Sequence, residues 1–157
     1  MTTMQERLRF ATRDIQEAEG LVFDGEFPGA ELLAGTDSGA ATLGSCVVRL
    51  EFSIGGDSIL MEGTVDGAWT LPCSRCLKPH EAALRAEVTE TFAATLETIE
   101  AAEDLRQALV LVQPDRSLCR EDCRGLCPLC GKDLNAGTCG CAPEATPPAV
   151  RDLRKKS

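Results

Sequence analysis

Tyrosine is missing from this chain, which has one tryptophan, one histidine and five phenylalanines. So few aromatic rings leave little for a platform on which nucleic-acid bases could stack. With a single histidine, His80, a serine–histidine–aspartate or cysteine–histidine catalytic set depends entirely on that residue. His80 lies four residues beyond Cys76 and reads as a loop histidine, with a substitute metal ligand as the other reading. Long apolar runs are missing too; none approaches the roughly 20 residues that span a bilayer. The charged opening "MTTMQERLRFATRD" lacks the apolar core of a secretion signal. Together these absences lead us to expect a cytoplasmic protein without a membrane partner or a small-molecule substrate. A basic field is also lacking: the net charge is −9. Such a chain does not hold nucleic acid by general phosphate neutralisation. The first seventy residues are strongly acidic, whereas basic side chains outnumber acidic ones beyond Gln113.

The 157 residues, 43% hydrophobic and 26% charged, are those of one globular domain. The centre of the chain is patterned for strands. "SCVVRLEFSI" alternates, "GGD" signals a tight hairpin, and "SILMEGTVDG" runs back. "RLRFA" reads as a strand; a short helix or turn and a strand ending near Phe27 follow, with a turn at Pro28-Gly29. Leu84, Ala86, Val88 and Phe92 alternate in "HEAALRAEVTETFAA", predicting another strand, with a helix as the competing reading. "TIEAAEDLRQALVLV" predicts a helix whose inward face is Leu105, Leu109 and Val112. The expected fold class is α+β: an antiparallel sheet of several strands, one packing helix and a metal-tied C-terminal knuckle. Residues 1–141 form one domain in this reading, with the Cys-rich zinc region at 119–141. The proline-rich, basic stretch 142–157 reads as a flexible tail.

What the chain has in abundance is cysteine, nine in all. In a reducing compartment dense cysteines point to metal or catalysis rather than disulfides, and an odd count fits a disulfide framework badly. "CPLCGKDLNAGTCGC" supplies Cys127, Cys130, Cys139 and Cys141, a complete four-thiolate set of the kind that closes a structural zinc site. The remaining set is Cys73 and Cys76 of "CSRC" with Cys119 and Cys123 of "CREDC". Exchange of pairs between the two sites is the competing arrangement. Cys46 lies in a strand pattern and reads as a small buried hydrophobe. All-cysteine sets are closed and structural, whereas catalytic zinc keeps an open position. The expectation is two structural zinc ions and no catalytic residue. Arg75, Lys78, Arg120 and Arg124 thread the cysteine region and are the candidates for contact with RNA or a partner, unless they only neutralise the thiolates.

"VDGAWTLPCSRCLKPHEAALRAEVTETF", the helix before a proline, and "CREDCRGLCPLCGKDLNAGTCGC" together resemble the YceD-like family, the large ribosomal RNA subunit accumulation proteins. The likeness runs from Val65 to Cys141, more loosely from the N-terminus, and matches all eight metal-type cysteines. It departs from the family's pattern in the short Ala/Glu-rich segment between the cysteine blocks. The resemblance implies a non-enzymatic cytoplasmic factor in large ribosomal subunit biogenesis. Such a factor supports 23S rRNA accumulation or processing. Its partner would be precursor 23S rRNA or a basic large-subunit ribosomal protein. The rival readings are a zinc-knuckle nucleic-acid-binding regulator and a thiol redox protein using Cys127 and Cys130.

Overall fold

The computed structural model describes residues 2–141. The proposed flexible tail, 142–157, lies outside the described residues. The elements are α1 (Met4–Arg7), β1 (Arg9–Ala11), α2 (Thr12–Glu17), β2 (Leu21–Pro28), α3 (Gly29–Leu32), β3 (Thr42–Leu43), β4 (Ser45–Gly55), β5 (Ser58–Pro72), β6 (Pro79–Ala93), β7 (Thr98–Glu100) and α4 (Ala102–Val112).

The fold is α+β, built on an antiparallel sheet in which β2 pairs β4, and β4 pairs β5. β5 is the central strand. Along one side it carries β4 and then β3; along the other it carries β6 over its whole length, from Ser58↔Ala93 to Pro72↔Pro79. The Gly56-Asp57 pair closes the β4–β5 hairpin, with Gly56 at φ 64 as a tight turn demands. Alternation holds through β4, where Cys46, Val48, Leu50 and Phe52 are buried, and through β6, where Leu84, Ala86 and Val88 are. This face packs under the helices and the small β1–β7 ribbon, in which Phe10 faces Ile99. Cys46 is fully buried, and burial pushes its thiol from 9.0 up to about 11. It is core, not site.

Three local expectations change. Pro28-Gly29 does not end in a turn; Gly29 opens the one-turn helix α3, whose Leu32 is fully buried. The stretch "TIE" forms β7 before α4 begins, because it pairs with β1. The inward face of α4 is Leu105, Ala108 and Leu109, while Val112 is 41% exposed, because the helix ends there and the chain turns away at Gln113.

No element among the described residues covers the other face of the sheet. Its side chains include Asp24, Glu26, Glu51, Glu62, Asp66, Glu81 and Glu87, all exposed, against Arg49 and Arg85. Arg49 pairs with Asp24 at 2.6 Å and Arg85 with Asp66 at 3.5 Å. Glu51 stands directly opposite Glu62, a like-charge pair across β4 and β5. No helix among the described residues is long and apolar enough to cross a membrane.

Candidate metal centre

The turn joining β5 to β6 is the segment from Cys73 to Lys78, so the first cysteine pair is itself the hairpin loop. The Cys73 N–H donates to the Lys78 carbonyl at 2.8 Å, and the Leu77 N–H donates to the Cys73 carbonyl at 3.0 Å. The second pair is built on the same frame. The Cys127 N–H donates to the Lys132 carbonyl at 2.8 Å, and the Gly131 N–H donates to the Cys127 carbonyl at 2.8 Å. In each the residue after the second cysteine takes the left-handed conformation: Leu77 at φ 65 and Gly131 at φ 74. Left-handed backbone here turns the chain so that N–H groups face the preceding sulfur, the geometry a thiolate ligand needs. The shared pattern, Cys-x-x-Cys-x-Lys, is legible in "CSRCLK" and "CPLCGK". Glycine suits this conformation, whereas nothing local in the sequence marks Leu77 for it.

Cys119 and Cys123 arrive on the chain that leaves α4 and are brought against the first turn by backbone contacts. The Ser74 N–H donates to the Ser117 carbonyl at 2.8 Å, and the Ser117 N–H donates to Ser74 Oγ at 3.0 Å. His80 Nε2 lies 2.6 Å from Ser117 Oγ, so the lone histidine braces this junction and is not part of either sulfur group. Arg75 Nη1 donates to the Cys123 carbonyl at 2.9 Å. Gly125, at φ 77, is packed so that a Cβ would meet Arg75 at 3.2 Å.

The sulfurs fall into two groups: Cys73, Cys76, Cys119 and Cys123; and Cys127, Cys130, Cys139 and Cys141. Within each group the sulfurs all lie within 4.8 Å of one another. Cys73 and Cys123 are 3.7 Å apart, as are Cys76 and Cys119. A disulfide needs about 2.05 Å. Zinc–sulfur bonds of about 2.3 Å, set tetrahedrally, place sulfurs about 3.8 Å apart. The donor sets fit a thiophilic metal.

Charge within each group is divided unequally. N–H groups, first that of Cys76, hold the Cys73 thiol down to about 5. Those of Cys130 and Leu129 hold Cys127 down to about 6. The Asn135 amide lowers Cys123. Desolvation and then the neighbouring thiols push Cys119 up to about 12. Its bond with Cys130, then desolvation, pushes Cys141 up to about 12. Four thiolates at this spacing repel, and a divalent cation among them removes the conflict.

The basic candidates are mostly engaged inside the site. Arg75 holds Cys123, Lys78 pairs with Asp133 at 2.5 Å, and Arg120 contacts Asp122 at 3.3 Å and Asn135 Oδ1 at 2.8 Å. The Arg124 side chain is exposed and makes no hydrogen bond or ion pair among the described residues. Asn135 and Asp133 went unremarked in the sequence, since nothing in "GKDLNAG" marks them apart from a polar loop.

No family model matches the chain, and no solved structure matches it. It is similar to uncharacterized proteins of Mycobacterium bovis and of two strains of Mycobacterium tuberculosis, each 37% identical over 95 residues. The alignment covers 50% of this chain and 46% of each relative, so the chain spans about half the length of the curated relatives it matches. Their names state no activity.

Proposed function

We propose that this is a non-enzymatic factor in large ribosomal subunit biogenesis, stabilised by two structural zinc ions and supporting 23S rRNA accumulation or processing in the cytoplasm. The observation that carries the reading is the pair of complete four-cysteine sets, closed in the order in which the motifs resembling the YceD-like family occur. Zinc suits them because every donor is a thiol and the sulfur spacing is that of a closed tetrahedron, with no fourth position left for water. Membership of Cys127 and Cys130 in a four-sulfur set speaks against a redox pair.

Four-thiolate zinc is net negative, so Arg75, Lys78 and Arg120 offset charge around the sulfurs, and Arg124 is left for a phosphate. The broad acidic face of the sheet favours instead a basic large-subunit ribosomal protein, by charge complementarity. Co-sedimentation of the full chain with precursor large subunits tests the reading. Glu51→Lys with Glu62→Lys, both on the solvent face, reduces association by about tenfold or more if like charges then meet at several kcal/mol. A loss caused by Arg124→Glu alone moves the contact to RNA. A chain that never co-sediments with large-subunit precursors removes the ribosomal reading.

A further inference from the structure

The two sulfur groups are tied together by a loop that belongs to one and serves the other. Asn135 lies between Cys130 and Cys139, so ligands of the second group bracket its position. Its side chain faces the first: Asn135 Nδ2 donates to Cys123 Sγ at 3.3 Å. Asn135 Oδ1 accepts from the Arg124 N–H at 2.9 Å and from Arg120 Nη2 at 2.8 Å, on either side of Cys123. The loop is braced in this pose. The Asn135 N–H donates to Asp133 Oδ1 at 2.9 Å, and Asp133 Oδ2 pairs with Lys78, the residue that closes the first turn. The Leu134 N–H donates to the Gly125 carbonyl at 2.9 Å.

We propose that Asn135 couples the two metal sites: the loop fixed by the second group presents its amide to Cys123, so metal held by the second group strengthens metal binding at the first. This rests on the metal reading above and adds its regulation. A hydrogen bond to a ligating thiolate orients it and spreads its charge, and loss of such a partner typically weakens metal affinity about 10–100-fold. The second group is gathered from contiguous residues, whereas the first must close a long segment, which costs more chain entropy. The second therefore fills before the first. Coupling is reciprocal at equilibrium, so the first strengthens the second by the same factor.

Cobalt(II) titration of the reduced full chain, followed by zinc competition against a chromophoric chelator, tests this. Cys139→Ser with Cys141→Ser disables the second group, and the first then binds about 10–100-fold more weakly. Asn135→Asp keeps the acceptor bonds to Arg120 and Arg124 and loses the donor to sulfur. It weakens the first group similarly and shifts that group's sulfur-to-cobalt absorption, which a loosened loop alone does not do. Combined with the cysteine changes it adds little, because the two act through one contact. First-group affinity unchanged by the cysteine changes overturns the coupling and leaves two independent sites standing. Should that variant fail to fold, Asn135→Asp with unaltered affinity and spectrum overturns it equally. A wild-type chain that binds no cobalt overturns the metal reading itself.

Discussion

At the scale of single residues, the two turns pose a controlled comparison. They share the same hydrogen bonds, yet one places glycine and the other leucine at the left-handed position. That conformation costs a residue with a Cβ about 1–2 kcal/mol. Leu77 bears this while 64% exposed, so core packing does not offset it. Leu77→Gly relieves the strain but frees the unfolded backbone by a similar amount, so unfolding free energy moves by less than about 1 kcal/mol. Gly131→Val adds a β-branched side chain where φ is 74, and destabilises the second turn by about 1–3 kcal/mol. Chemical denaturation of the two variants checks the pair. A Gly131→Val chain as stable as wild type contradicts the requirement for left-handed backbone.

At the scale of elements, the first cysteine group takes the place of an ordinary hairpin loop between the two longest strands, and a metal bound there would clip the segment after α4 to it. A cross-link that closes a loop of this length removes about 4 kcal/mol of chain entropy from the unfolded state. Cys76→Ser should therefore lower the unfolding free energy by about 3–5 kcal/mol and open the stretch between α4 and Cys123 to proteases. A change below about 1 kcal/mol with an unaltered cleavage pattern means that the clip bears no load. Much of this level was legible in the sequence. Gly-Gly-Asp announced the β4–β5 hairpin, and the alternation at Leu84, Ala86 and Val88 announced β6, because one-sided burial forces a period of two. The two Cys-x-x-Cys pairs announced the turns. What could not be read depends on tertiary contact. β3 and β7 are too short to carry a pattern and exist because Trp69 and Phe10 sit opposite Leu43 and Ile99. The helical face was displaced from Val112 to Ala108 by where the chain leaves the helix. Asn135 acts only once its loop has folded against Cys123, and no local spacing encodes that.

At the scale of the whole molecule, a sheet with an acidic open face is joined to an end made of sulfur and basic side chains. The sheet has a continuous apolar core of its own, while among the described residues the packing around Cys73, Cys76 and Cys123 involves only Leu118 and Leu126 besides the sulfurs. So small a core does not hold a segment in place unaided, and a metal bound by the sulfurs would make binding and folding one process there. The proposed architecture requires each four-cysteine set to hold one metal ion. Native mass spectrometry of the full chain, purified under reducing conditions, measures this directly. The expected mass is that of a chain carrying two zinc ions, both lost together with the order of the cysteine-rich segment when a chelator is added. A metal-free chain, or one whose cysteines are joined as disulfides, would contradict it.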